Sequence, residues 1–283
     1  MRICLITPEP GHPLLAGAAE LLRGAGHRVE SLDPGANGDA GGAGEVPVAR
    51  GSAPAPADVY LLKARTPRAL RLARELERRG APVVNSAAAT ALCQDRTAMA
   101  ELALRAGLPF AGTRTHGSLA AWAASSEARQ ELDAGPVVVK SRLSRRHDLV
   151  ARVDGPARLR ELAAAWPQEP VVVQDFAPNS GWDHKLWAIG DRVFAALRRS
   201  ELAPEGRGPA QPLDPAGLPA GWERLVRRVG EVFALDVYGV DIIDTGGGSP
   251  LIVDINAFPG IRGQAAAPRA LADLALARAG HFP

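Results

Sequence analysis

Cysteine is nearly absent from the chain. Cys4 and Cys93 are its two cysteines in 283 residues, with no Cys-x-x-Cys and no histidine pair at metal spacing. That composition argues against a disulfide framework and a structural zinc centre. Aromatic residues make up 5%, which leaves no base-stacking platform, and a net charge of +2 is too small to argue for nucleic acid. No apolar run approaches the roughly 18 residues needed to cross a bilayer. The opening stretch MRICLITPEPG stops at Pro8 and Glu9, without the longer apolar core and cleavage site of a signal peptide. The composition therefore leads us to expect a cytoplasmic protein that engages neither nucleic acid nor membrane. One local scarcity also matters below: no glycine lies between Lys140 and Gly155.

What is present reads as alternating strands and helices. In the first third, RICLIT (2–7), RVESLD (28–33), DVYLLK (58–63) and PVVN (82–85) are short apolar strands. Between them, LLAGAAELLRGAG and PRALRLARELERRG have helical spacing, the second with Pro67 in its first turn. Such alternation predicts a parallel sheet with helices on its faces. Residues 34–57 are Gly, Ala, Pro and Ser with few large apolar groups, which predicts a mobile surface loop. After a helix at 95–107 the pattern changes. Close-spaced strands at 135–140, 148–153, 170–176, 184–190 and 192–200 surround a helix near 155–165. Residues 201–219 read as a Pro-rich loop, 221–235 as a helix, and 264–279 as a last helix. The expected divisions are 1–86, 87–176 and 177–283.

The segment GVDIIDTGGGSPLIVDINAFPG is the most informative. A hairpin through its GGGS turn would pair two strands. Alternation puts Asp254 and Asn256 on one face, and Asp241 on the neighbouring strand can join them. Carboxylates are unfavourable inside strands unless they have a task. Two carboxylates and an amide oxygen suit Mg²⁺, whose remaining ligands are usually water and substrate phosphate.

The string VDINAFPG resembles the metal-binding end of ATP-grasp proteins, and the chain follows that family's motif order from about residue 60 to 275. The resemblance implies an ATP-grasp fold of mixed α/β and α+β type. Its N-terminal parallel α/β lobe would precede two α+β lobes that clasp ATP. In VVVK, Lys140 stands where the family has a strand lysine on the phosphates. In VVVQDF, Gln174, Asp175, Phe176 and Ala177 stand at the linker whose backbone contacts adenine. Asp183 and Lys185 fall on the ribose and phosphate sides. Arg198 and Arg199 fall where a basic residue neutralises acceptor or phosphates, and with Lys185 they are the implied catalytic set. Arg96, in CQDRTAM, replaces a common lysine. The metal set is Asp241, Asp254 and Asn256, for one or two Mg²⁺ ions that Mn²⁺ can replace.

The chain departs from the family after Lys140. The usual Gly-rich loop is SRLSRRHDLV here, so backbone amides give way to side-chain charge. Arg142, Arg145, Arg146 and His147, with Gly260 in the closing Pro-Gly turn, are expected to meet an anionic acceptor: an amino acid, peptide or phosphorylated polyol. The resemblance points first to carboxylate–amine ligases similar to the RimK-like glutamate ligases, acting through an acyl phosphate. The NAFPG ending and the RRSEL string also resemble inositol trisphosphate kinases, so a small-molecule kinase is the alternative. A nucleotide-binding protein with weak or no catalysis is a third reading. A homodimer is allowed.

Overall fold

The computed structural model describes residues 1–35, 56–203 and 208–280. Most of the expected 34–57 loop lies outside the described residues. The chain divides into two compact units, residues 1–90 with 258–283, and residues 91–257.

In the first unit the strands are β1 (Arg2–Ile6), β2 (Arg28–Leu32), β3 (Val59–Leu62) and β4 (Val83–Val84). They form a parallel sheet in the order β2-β1-β3-β4. Helices α1 (Pro13–Gly24) and α2 (Pro67–Arg78) both begin with proline, at the position where no amide hydrogen is needed. Thr66 caps α2 by accepting from the Ala69 amide at 3.2 Å. The C-terminal helix, Ala267–Gly280, packs on α1 in this unit. Residues 258–283 group with residues 1–90.

Helix α3 (Ala87–Leu92) carries the chain into the second unit. There α4 (Arg96–Arg105) is followed by β5 (Thr113–His116), α5 (Leu119–Ala123), α6 (Ser126–Ala134), β6 (Val137–Ser141), β7 (Val150–Val153), α7 (Pro156–Ala165) and β8 (Val171–Asp175). The antiparallel sheet has the order β5-β8-β6-β7. Its two faces differ. Val137, Val139, Ala151, Val153, Val171 and Val173 join Leu119, Trp122, Leu159 and Leu162 in one apolar core. The alternate positions, Val138, Lys140, Val150, Arg152 and Gln174, face a cavity.

The second sheet of this unit holds β9 (Trp182–Ile189), β10 (Arg192–Arg199), β11 (Ala210–Leu213), β12 (Val237–Asp244) and β13 (Pro250–Ala257), with α8 (Trp222–Phe233) between β11 and β12. Its order is β11-β10-β9-β12-β13, antiparallel throughout. Strand β11 corrects the expectation of loop across 201–219. It lies at the edge, where Pro212 costs no interior ladder bond. The expected hairpin is present. Gly246, Gly247 and Gly248 all take positive φ, and the Asp244 carboxylate accepts from the amides of Gly246 and Gly248.

Gly230 on α8 allows Tyr238 to pack against the helix and donate to the Val226 carbonyl at 2.8 Å. A Cβ at Gly230 would come within 2.8 Å of the Tyr238 ring. Alanine is worth up to about 1 kcal/mol over glycine inside a helix. The clash outweighs that, so Gly230→Ala is expected to lose about 1–3 kcal/mol by overpacking, read as a fall in melting temperature.

Candidate active site

A cavity of about 410 Å³ opens between the two sheets of the second unit, within the range of roughly 300–1,000 Å³ usual for small-molecule sites. Strand β6 brings Lys140 into it, and β9 brings Asp183 and Lys185. Strands β12 and β13 bring Asp241 and Asp254, directly opposite one another in the ladder.

A β-bulge positions Asp254. The register pairs Asp241 with Asp254 but Ile242 with Ile252, so Val253 is an extra residue. Plain alternation would put Leu251 and Asp254 on opposite faces. The bulge rephases the strand, and both line the cavity while Ile252 and Ile255 are fully buried. The extra residue is also used, because Lys140 Nζ donates to the Val253 carbonyl at 2.8 Å. Asn256 lies two residues beyond Asp254 on β13 and pairs in register with Gly239.

The carboxylates are held by basic groups. Lys185 Nζ lies 2.5 Å from Asp241 and 3.4 Å from Asp183. Arg96 Nη1 donates to Asp148 at 2.7 Å and to the Ser141 carbonyl at 2.8 Å, and its Nη2 lies 3.6 Å from Asp254. Lys140 and Lys185 are each 6% exposed. Burial pushes the Lys140 ammonium down to about 8, against the pull of Asp254.

Gln174 is buried and donates to Thr113 Oγ1 at 2.9 Å, while Asp175, Phe176 and Ala177 continue the rim. Arg199 lines the cavity at the end of β10, its guanidinium 5.0 Å from the Trp182 ring. Arg198 pairs in register with Asp183. Arg152 was not singled out from the sequence. It lines the cavity with its guanidinium 4.0 Å from the centre of the Phe176 ring, and it pairs with Asp154. Register was the available signal: β6 and β7 pair Val138 with Arg152, on the face of Lys140.

The basic loop is held by ion pairs. Arg142 bonds Asp95 through Nε at 3.1 Å and Nη2 at 2.7 Å. Arg145 clamps Glu169 at 2.6 and 2.8 Å. Their charge is committed to carboxylates of the chain, and neither lines the cavity. Arg146 and His147 are exposed, the latter with φ of +59°. Gly260 belongs to the first unit, beside His12.

His116, Glu127 and Glu131 bring ligand atoms within 4.8 Å of one another. Arg114 already neutralises Glu131, so a cation there would have to displace a guanidinium.

Two antiparallel sheets facing each other across a lysine- and carboxylate-lined cavity, in a chain that also folds a parallel α/β unit, define the ATP-grasp fold. Solved structures agree. The RimK domain ATP-grasp protein from Sphaerobacter thermophilus superposes with a TM-score of 0.73 at 24% identity, over 98% of this chain and 100% of the other. The ATP-grasp ligase PsnB, complexed with minimal precursor, Mg and ADP, gives 0.69 at 18%, over 98% and 97%. The macrocyclase MdnC from Microcystis aeruginosa, bound with precursor peptide MdnA, gives 0.66 at 15%, over 98% and 99%.

The chain belongs to the RimK-like ATP-grasp domain family, whose model matches residues 104–276. A probable alpha-L-glutamate ligase of Rhodopirellula baltica is 31% identical over 100 residues, 34% of this chain and 24% of that protein. One from Ectopseudomonas mendocina is 31% identical over 100 residues, 34% of this chain and 33% of the relative. The matched region thus spans a quarter to a third of the curated relatives' length. Among the described residues, no helix is long and apolar enough to cross a membrane.

Proposed function

We propose that the cavity binds Mg-ATP and that the chain is a carboxylate–amine ligase. The observation that carries this reading is the ladder pair Asp241 and Asp254 sharing one cavity with buried Lys140 and Lys185. A buried lysine is costly without a matching anion. Each lysine–phosphate pair at about 4 Å is worth on the order of 4 kcal/mol before desolvation, at an effective dielectric of about 20.

The donor set fits both groups. Val138, Val150, Ile243 and Leu251 give apolar walls for a flat base, and the Gln174–Ala177 segment gives a rim for its edge. Lys140, Lys185, Arg152 and Arg199 supply charge for phosphates. Asp241 and Asp254, which line the cavity, would hold magnesium; Asn256 lies on the same strand as Asp254 but outside the cavity lining, and is proposed as a further oxygen donor. The metal would supply charge neutralisation on the phosphates.

In the proposed reaction a substrate carboxylate oxygen attacks the γ-phosphorus as its bond to ADP breaks. The amine of an amino acid or peptide then displaces phosphate from the acyl phosphate and loses a proton. Lys185 and Arg199 stabilise the charge on the transferring group, and Arg96 holds Asp254 in place. The names of the similar proteins, glutamate ligases and a ligase solved with a precursor peptide, favour amino acid or peptide acceptors over polyols.

Arg152→Ala removes the cation stacked on Phe176 and is expected to raise the KM for ATP about tenfold with little change in kcat. Steady-state kinetics with varied ATP checks this. The reaction class is read from products. A ligase releases ADP and free phosphate only when both an acid and an amine are present. A phosphorylated product without free phosphate would replace the ligase reading with a kinase. A thermal shift with Mg-ATP and no ADP would leave a binding protein.

A further inference from the structure

We propose that the first unit carries a separate oxyanion site, matched to a carboxylate, between His12 and Lys63 at the C-terminal edge of its parallel sheet. The proposal uses residues of that unit alone and stands independently of the nucleotide reading.

The sheet order β2-β1-β3-β4 reverses direction between β1 and β3. Open α/β sheets hold ligands outside the carboxyl ends of their strands at such a reversal. Here β1 leads toward His12 at the start of α1, and β3 leads directly into Lys63.

His12 is 3% exposed. Its Nδ1 accepts from the Leu14 amide at 3.3 Å, which caps α1 and assigns the neutral ring's hydrogen to Nε2. No hydrogen-bond partner of Nε2 exists among the described residues. Asparagine, aspartate or serine caps a helix better. What histidine adds is the second nitrogen. Gly260 keeps the space beside that nitrogen clear, because a Cβ there would lie 3.0 Å from Nε2.

Lys63 spends one donor on the Phe258 carbonyl at 3.2 Å and stands 5.8 Å from the Phe258 ring. Its other two hydrogens remain for a ligand. Arg262 adds positive potential at both His12 and Lys63, and Arg65 adds more at Lys63. Glu9 is the carboxylate that acts on both. Burial and this crowding push Lys63 down to about 8 and His12 below its usual range, as expected where cations outnumber counter-ions. A carboxylate accepting from His12 Nε2 and Lys63 Nζ would satisfy both groups. An amino acid or the C-terminus of a peptide carries that chemistry.

The test is calorimetric titration of the full chain, without nucleotide, with L-glutamate and separately with inorganic phosphate. His12→Asn keeps a capping side chain but deletes the second nitrogen, and Lys63→Gln leaves the cap untouched. The expected result is glutamate binding weakened at least tenfold in both variants, with the Mg-ATP thermal shift unchanged. Undiminished glutamate binding in both variants, or none in the wild type, would overturn the site. Tighter binding of phosphate than of glutamate would overturn the carboxylate assignment.

Discussion

Asp254→Asn is expected to lower kcat by two to three orders of magnitude, about 3 kcal/mol of transition-state stabilisation. The substitution conserves shape and removes one charge at the point where β13 bulges toward β12. Neutral amide oxygen is a weaker ligand for a hard divalent ion than carboxylate. Arg96 loses a charge partner at 3.6 Å but keeps Asp148 at 2.7 Å and the Ser141 carbonyl, so the fold is expected to survive. Melting temperature should change little while turnover collapses. If the variant turned over at the wild-type rate, Asp254 would not be a metal ligand.

Lys140→Met is expected to separate function from stability. Activity should fall at least a hundredfold if Lys140 has the proposed role, since a buried point charge for the phosphates would be lost. Stability at pH 7 should rise. Burial holds the folded pKa of Lys140 near 8, against an ordinary 10.5. Below pH 8 the ammonium is charged in both folded and unfolded chains, so the folded state bears the full cost of burying it. From pH 8 to 10.5 the folded chain releases the proton and the unfolded chain keeps it, so stability rises with pH across that window. Methionine fills similar space without charge, so that part of the pH dependence should vanish. Melting temperatures from pH 7 to 10.5 measure it. A variant less stable than wild type throughout would show that Lys140 supports the fold.

Much of the architecture was legible because burial leaves a plain mark. The VVV runs before Lys140 and Gln174 are buried throughout, with Val137, Val139, Val171 and Val173 in the core, and apolar content marks both strands. The TGGGS turn announced the β12–β13 hairpin, since consecutive positive φ values require glycine. Weaker signals failed where edges are concerned. Strand β5 is Thr-Arg-Thr-His, polar because it pairs on one side only, and β11 holds a proline that an interior strand would exclude. The partners of the loop arginines were hidden for a different reason. Arg142 and Arg145 neutralise Asp95 and Glu169, 47 and 24 residues away in sequence, and such pairing has no local pattern. The bulge at Val253 was equally hidden, because it exists only in the register of two strands.

Asp241 and Asp254 are proposed to form a magnesium seat beside the nucleotide phosphates. The most direct test is titration of a non-hydrolysable ATP analogue into wild type and Asp254→Asn, each with magnesium and with chelator. Magnesium is expected to tighten binding at least tenfold in the wild type and not in the variant. An equal magnesium effect in both proteins would contradict it.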